Sequence, residues 1–321
     1  MSLVSHLKDT SSPVSRFFAE RFTNVSAARA SLSPTDDPGI VLGRYLASED
    51  LPKRAAWRLG EPVVTPDLED RRAYRWSTIG VAFDYRVRFF FAPSDGDHRV
   101  ARIGAERLGN SWGAASNVSR AYEELEDRLL ELRHQEPALR GDPEFEHQLG
   151  ALCFSLALYE EYFRMGGAGR SPLEDLGPLT DLDTVLTLAS QSARADLAAL
   201  ARHLTMTQGA LLASPIVPNP TFAGSHLVGG ADADVIAGHR LIDVKTVTAS
   251  QIERVDLWQI IGYALLDLDR SYAVDEVGIY YSRHGVQVVW PLADLLSLMS
   301  GRPVSADDAR RDFEVILRAL L

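Results

Sequence analysis

Cysteine is almost absent from this chain, which contains a single one, Cys153, among 321 residues. One thiol cannot form an internal disulfide, and it cannot supply the cysteine cluster of a structural zinc or iron–sulfur site. Cys153 lies within an apolar run, where a lone thiol is most simply a small hydrophobic core residue. The sequence therefore excludes a disulfide scaffold and an iron–sulfur cluster held by the cysteines of this chain.

Long apolar runs and several common catalytic motifs are also lacking. No apolar run reaches 18 residues and no signal-peptide segment opens the chain, so we expect a soluble, cytoplasmic protein with no membrane partner. The patterns G-x-S-x-G, H-E-x-x-H and Walker A do not occur. The chain thus carries no helicase motor of its own, and any unwinding of a substrate would belong to a partner.

Lysine is scarce, with three residues (Lys8, Lys53 and Lys245) against 30 arginines. The net charge of −11 argues against indiscriminate coating of nucleic acid. All of this excess lies in residues 141–321, because residues 1–140 hold equal numbers of acids and bases. A bound polyanion would therefore need a local arginine patch, which we expect in the first half of the chain.

One candidate for that patch mixes arginines with aromatic residues. Arg71, Arg72 and Arg75 surround Tyr74 and precede Trp76. Arginines can bind phosphates while aromatic rings stack on bases. The competing interpretation is a surface turn with ordinary ion pairs.

A hairpin is predicted in the most informative stretch, residues 228–267. Residues 231–236 and 239–247 read as strands joined by a two-residue turn at Ala237-Gly238. That turn would place Asp234 opposite Leu241 and Asp232 opposite Asp243. Because side chains alternate along a strand, Leu241, Asp243 and Lys245 share one face, and Asp234 is the diagonal neighbour of Asp243 on that face.

The amphipathic helix that follows places Gln259 and Tyr263 four residues apart, on one face. Acids within a sheet are costly unless something compensates them, and a divalent cation would do so. Carboxylate oxygens suit Mg²⁺ or Mn²⁺, which can polarise a phosphodiester. Lys245 could then orient the attacking water or neutralise developing charge on the phosphate. The alternative is an ordinary Asp–Lys pair on an exposed sheet face.

Asp234, Asp243-Val244-Lys245 and Gln259-x-x-x-Tyr263 together resemble the PD-(D/E)XK nuclease superfamily, and more narrowly its RecB-like branch. The resemblance implies a restriction-endonuclease-like α/β core, a mixed sheet flanked by helices, and Mg²⁺- or Mn²⁺-dependent cleavage of nucleic acid, with DNA favoured. It implies Asp234 and Asp243 as metal ligands, Lys245 as the catalytic lysine, and Gln259 and Tyr263 as supporting or substrate-side residues. Ala233 stands where many members have proline.

A third acid is expected at such a site, and the sequence offers several. Glu161, on a strong helix predicted at residues 143–165, is preferred as a metal ligand, with Glu160 beside it. Asp84 is the competitor, since Gly80-x-x-x-Asp84 is similar to the family's G-x-x-x-H helix with aspartate in place of histidine. Asp232 is a further alternative on the hairpin itself.

We therefore expect a mainly helical region at residues 1–140, which is a candidate for nucleic-acid contact. A nuclease core at 141–295 and a C-terminal helix at 296–321 should follow it. The chain is predicted to be a Mg²⁺-dependent nuclease, working alone or with a helicase or other complex subunit. The alternative is a catalytically silent nucleic-acid-binding or scaffolding subunit, and a hydrolase for a small phosphate substrate ranks third. DNA versus RNA, endo- versus exonuclease action, and oligomeric state stay open.

Overall fold

The structure, a computed structural model, describes residues 2–34, 40–43, 59–68, 75–92, 98–113, 116–166, 171–208, 215–249 and 251–320. Within these residues the chain forms thirteen α-helices and seven β-strands. The helices are α1 Leu3–Lys8, α2 Pro13–Arg21, α3 Val25–Ala30, α4 Trp76–Phe91, α5 Arg99–Trp112, α6 Val118–Leu139, α7 Pro143–Met165, α8 Pro172–Leu176, α9 Leu182–Leu186, α10 Gln191–Gln208, α11 Arg254–Leu266, α12 Leu292–Ser300 and α13 Ala306–Arg318. The strands are β1 Leu32–Pro34, β2 Ile40–Gly43, β3 Ile216–Pro218, β4 Val235–Ala237, β5 Arg240–Lys245, β6 Glu276–Tyr281 and β7 Val286–Pro291.

The strands form one mixed sheet in the order β1-β2-β7-β6-β5-β4-β3. β2 runs parallel to β7 and β5 runs parallel to β6, while the other neighbours are antiparallel. The parallel β5–β6 pair is joined through α11, as a crossover connection requires. The predicted class, an α/β fold with a mixed sheet flanked by helices, is confirmed at this level.

The chain divides into two compact units. The first contains Met1–Pro62 and Ala210–Leu321, and the second contains Val63–Gly209. This division differs from the ranges predicted from sequence, because residues before 63 group with the sheet while residues 141–209 group with the helices. Pairing between β2 and β7 links segments more than 200 residues apart, and no local pattern in a sequence announces such a pairing.

The sheet-containing unit has its apolar core on the face of β5 that carries Leu241. The neighbouring strands contribute Val277, Val288 and Trp290 to that face through their registers with β5 and with one another. Helix α11 buries Leu257, Ile260 and Ile261 in the same core, and α1, α2, α12 and α13 add further apolar residues. The candidate site therefore lies between β5 and α11, at the margin of this apolar core.

Two segments whose sequences are typical of a helix fold otherwise. The pattern of residues 40–59 indicates a helix interrupted near Pro52, but residues 40–43 form β2 beside β7, where the β-branched Ile40 and Val41 suit a strand. The rest of that range lies outside the described residues, apart from Leu59. The pattern of residues 182–204 indicates one helix, but the structure divides it into α9 and α10, because the Ser190 hydroxyl accepts the Ala193 backbone N–H (3.2 Å) and begins a new helix.

The helical unit is organised around α7, which follows the predicted bounds 143–165. Pro143 occupies its first turn, and the Asp142 carboxylate accepts the Phe145 backbone N–H at 2.9 Å. Both features favour a helix start at this position. Helices α4, α5 and α10 pack against α7. Among the described residues, no helix is long and apolar enough to cross a membrane.

Two helical glycines give a matched test of this packing. A Cβ on Gly104 of α5 would lie 2.0 Å from the Tyr159 carbonyl oxygen of α7, whereas a Cβ on Gly80 of α4 would meet nothing within 4 Å. We expect Gly104→Ala to lower the free energy of unfolding by about 1–3 kcal/mol, since backbone cannot move aside. Gly80→Ala should raise it by about 0.5–1 kcal/mol through helix propensity. Urea unfolding of both variants checks the pair, and equal effects would contradict the close α5–α7 approach.

Candidate active site

In the hairpin that carries the predicted motif, the turn lies one residue later than the sequence indicated. The pairing of the two strands is therefore shifted by two residues. Ile236 pairs with Leu241 and Ala237 with Arg240, so the turn is Gly238-His239 and the predicted Ala237-Gly238 turn was wrong. Gly238 has φ 63°, which glycine adopts readily at the first position of a two-residue turn. A shift of two residues keeps every side chain on its predicted face.

The corrected register brings the two hairpin acids closer than expected. Continuing the pairing of Val235 with Ile242 places Asp234 directly opposite Asp243, rather than diagonally. The ladder ends there, and the partly exposed Asp234 carboxylate accepts the Val244 backbone N–H at 2.6 Å. Asp232 is exposed and lies in an isolated bridge with Thr221.

Lys245 lies at the centre of the site. Its Nζ is 2.9 Å from Asp243 Oδ2, and it donates a hydrogen bond to Gln259 Oε1 at 2.8 Å. A second carboxylate, Asp256 Oδ1, lies 3.7 Å from the same Nζ. The lysine side chain is 19% exposed and that of Asp243 only 3%. A nearly buried carboxylate is thus paired with a lysine whose side chain remains partly exposed.

Gln259 connects the charged pair to Tyr263. Its Nε2 donates to Asp243 Oδ1 at 2.9 Å and to the Tyr263 hydroxyl oxygen at 3.1 Å. The amide orientation is determined by its neighbours, because an ammonium can only donate and so requires the Oε1 side. One glutamine therefore fixes the rotamers of both members of the Asp243–Lys245 pair.

Burial raises the pKa of Asp243 to about 6; the Lys245 ammonium opposes this increase and the Asp234 charge adds to it. Burial acts against the charged form of Lys245, yet Asp243 and Asp256 together raise its pKa well above the ordinary value. Burial also raises the pKa of Asp256. For Tyr263, burial and then the Asp243 and Asp234 charges raise the pKa. Lysine is therefore charged and tyrosine neutral at physiological pH.

Two residues of this site were not recognised in the sequence. Asp256 precedes Gln259 by three positions, a spacing that puts both on one face of α11 and was a usable signal. Tyr281 pairs with Lys245 across the parallel β5–β6 ladder, a register that the sequence does not reveal. The Tyr281 hydroxyl is buried and has no hydrogen-bond partner among the described residues.

The predicted third acids lie in the helical unit, where each has partners of its own. Glu161 accepts hydrogen bonds from Arg75 and Thr78, both at 2.9 Å. Glu160 accepts from the Tyr85 hydroxyl at 2.5 Å and from Arg164 Nε at 2.8 Å. Asp84 lies in α4 and is partly exposed. Their roles as metal ligands remain predictions.

Arg75 is the one arginine of the predicted arginine–aromatic patch that lies within the described residues, since residues 71–74 lie outside them. Its guanidinium donates to Glu161 and Thr78, as expected for the ion-pair interpretation. Phosphate binding by Arg71 and Arg72 stays a prediction.

The donor set near Lys245 suits a hard cation in type but supplies few ligands. Across the described residues, no group of three or more His, Cys, Asp or Glu side chains converges as a metal cage. Mg²⁺ is commonly bound by only one or two carboxylates plus waters and substrate oxygens. Asp243 Oδ2 meets Lys245 without hydrogen-bond geometry and has no other partner among the described residues. Asp243 and Asp234 thus fit a two-carboxylate site.

Comparisons with known proteins identify no relative: no family model, no curated protein and no solved structure matches this chain.

The raised pKa of Asp243 gives a pH prediction for the metal-free protein. The native state holds this proton up to about pH 6, whereas an unfolded aspartate releases it near pH 3.9. The wild-type free energy of unfolding should therefore fall between about pH 4 and pH 6 relative to Asp243→Asn, by up to about 3 kcal/mol. Urea titrations of both proteins at intervals from pH 4 to 7.5 measure the difference. A difference independent of pH would contradict the raised pKa.

Proposed function

We propose that this chain is a metal-dependent nuclease with a restriction-endonuclease-like core of the PD-(D/E)XK type, acting on nucleic acid, with DNA as the favoured substrate. The observation that carries the proposal is the arrangement of Asp234, Asp243 and Lys245 on one hairpin, joined to Gln259 and Tyr263 of the following helix. Two carboxylates with an adjacent lysine at a partly exposed position suit a divalent cation and a phosphate oxygen as ligands.

The strand arrangement supports the same proposal. Strands β3, β4 and β5 are consecutive and antiparallel, then α11 leads to β6, which is parallel to β5. A mixed sheet flanked by helices is what the sequence resemblance implies, and the acid-bearing strands lie next to each other in this sheet.

In this proposal Asp234 and Asp243 hold Mg²⁺ or Mn²⁺, which supplies phosphodiester polarisation and a water of lowered pKa. Lys245 stays protonated, because its pKa is raised, and so it acts as a donor and not as a base. Of its three protons, one is given to Gln259 and one faces Asp243. The third has only Asp256 Oδ1 beside it, at 3.7 Å, which is longer than a hydrogen bond. It can therefore be given to a water or a phosphate oxygen, where a fixed positive charge favours the transition state.

Gln259 and Tyr263 have positioning roles in this scheme. Gln259 holds Asp243 and Lys245 in place, and its amide leaves the Tyr263 hydroxyl proton free to donate, since that oxygen accepts from Nε2. A neutral tyrosine can give this proton to a phosphate oxygen or a water.

A catalytically silent nucleic-acid-binding subunit is the second candidate. Within the described residues no three-ligand metal group occurs, and a protein that has lost catalysis does not need one. The two candidates differ in one measurable property, cleavage that depends on both a divalent cation and Lys245.

The test compares wild type, Lys245→Ala, Asp243→Asn and the control Asp312→Asn, an exposed acid paired with Arg21. With Mg²⁺ or Mn²⁺, wild type and the control should cleave DNA. Lys245→Ala should reduce the rate at least about 100-fold, the usual cost of losing one transition-state donor, while calorimetry shows metal binding retained or tightened. Asp243→Asn should weaken metal binding, and excess metal should restore part of the activity.

Gel assays on single-stranded and double-stranded DNA and on RNA provide the readout, and circular dichroism verifies folding. The Lys245→Ala preparation also controls for a contaminating nuclease. If wild type binds nucleic acid but no divalent cation supports cleavage, the silent subunit is the better account. If it neither binds nor cleaves, both candidates fail.

A further inference from the structure

An open groove of about 710 Å³ lies beside the start of α11, within the sheet-containing unit. Helices α1, α2 and α3 form one side of it, and Glu253, Arg254, Val255 and Trp258 form the other. Four cations line it, namely Lys8, Arg16, Arg29 and Arg254, against one acid, Glu253. In a chain of net charge −11, such a concentration of positive charge is a local exception.

Three of these cations are available to a ligand. Lys8, Arg16 and Arg254 are exposed, and no carboxylate within the described part of the chain pairs with any of them. Several exposed arginines elsewhere in this unit are paired with acids, for example Arg21 with Asp312 and Arg318 with Glu314. Unpaired positive charges gathered in a concave surface raise the local concentration of an anionic ligand.

The remaining contacts give the groove a fixed shape. Arg29 donates through Nε to the Ile252 carbonyl at 2.9 Å, which holds its guanidinium against the loop before α11. The Arg254 guanidinium lies 4.7 Å from the centre of the Trp258 ring. Trp258 is itself buried, and its indole N–H donates to the Phe22 carbonyl at 2.6 Å. Its ring therefore supports Arg254 and is not free to stack on a base.

The groove and the candidate site share one helix. Val255 and Trp258 line the groove, while their sequence neighbours Asp256 and Gln259 belong to the site. Consecutive helical residues point about 100° apart, so the two features flank the first turns of α11. A helix with its side chains is about 10–12 Å across, a distance that about three or four nucleotides span.

Resting on the proposed nuclease function, we propose that this groove binds the sugar–phosphate backbone of the nucleic acid whose scissile phosphate is held at Lys245. Exposed lysines and arginines neutralise phosphates through an electrostatic attraction that does not depend on sequence. The binding therefore depends on Lys8, Arg16 and Arg254. It makes the α1–α3 segment part of the substrate path.

The test is a salt titration of binding to fluorescein-labelled 20-nucleotide DNA, with Ca²⁺ or EDTA present to prevent cleavage. The double variant Arg16→Ala/Arg254→Ala is compared with the matched control Arg21→Ala/Arg318→Ala, which removes the same net charge from paired positions. The groove variant should bind at least tenfold more weakly than wild type at about 100 mM salt. Its slope of log affinity against log salt should fall by about 1.4–1.8, because each phosphate contact contributes about 0.7–0.9.

The control variant should keep the wild-type slope. If both double variants lose affinity equally, the effect is one of net charge and the groove is not the binding path. If the groove variant retains wild-type affinity and slope, or if wild type binds neither this DNA nor an RNA of the same sequence, the proposal fails and an anionic protein becomes the better occupant.

Cleavage separates this proposal from the nuclease proposal. If the groove variant loses binding while the wild-type protein shows no cleavage with any divalent cation, the groove proposal is supported and the nuclease proposal is overturned. Metal-dependent cleavage by the groove variant with an unchanged KM overturns the groove and leaves the nuclease standing.

Discussion

The site depends on one electrostatic constraint, a carboxylate buried beside an ammonium at the edge of an apolar core. Removing both charges from water costs several kcal/mol per ion, and their attraction offsets this only with good geometry and further hydrogen bonds. Gln259 supplies the hydrogen bonds, one to each partner. The pKa of Asp243 is still raised, because the Lys245 charge does not fully offset the effect of burial. A further positive charge beside this carboxylate would therefore be favourable. A bound cation would supply this charge.

The helical unit contains a second buried ion network that makes an instructive contrast. Arg86 donates to Glu146 at 2.7 Å through both Nε and Nη2 and to Glu136 at 2.9 Å, with all three side chains at most 1% exposed. Arg140 adds further hydrogen bonds to Glu136. Arg86, Glu136 and Glu146 are closed to solvent, and Arg140 at the margin of the network is 15% exposed. The three buried charges join helices α4, α6 and α7. Lys245 and Asp256 remain 19% and 16% exposed, which is what a ligand would require.

The site could be read from sequence largely because a strand has a period of two. Leu241, Asp243 and Lys245 share a face whatever the turn, and the two-residue error in register preserved that relation. The turn itself was misplaced because both Ala237-Gly238 and Gly238-His239 are short enough, and only the backbone shows that Gly238 takes the positive φ at the first position. Local patterns likewise predicted α7 with its observed bounds.

What the sequence could not supply is information about distant pairing. The division of the chain into units, the strand at 40–43 and the place of Tyr281 beside Lys245 all follow from ladders between remote segments. The groove is a similar case, since Arg254 lies more than 230 positions after Lys8 and Arg16 in the sequence. A cluster of arginines that are neighbours along the chain, such as residues 71–75, is visible in the sequence. A cluster of cations that only the fold brings together is not.

The choice of lysine at position 245 follows from the same geometry, in a chain that otherwise prefers arginine ten to one. Three groups surround Nζ within 3.7 Å: the Asp243 carboxylate, the Gln259 amide oxygen and the Asp256 carboxylate. A compact ammonium with three rotatable donors can face all three groups, and the contact of 3.7 Å to Asp256 is long enough to leave that proton for a further ligand. A planar guanidinium would present its donors in a fixed fork, and its bulk would separate Asp243 from Gln259. A lysine therefore suits the three groups that β5 and α11 place around position 245.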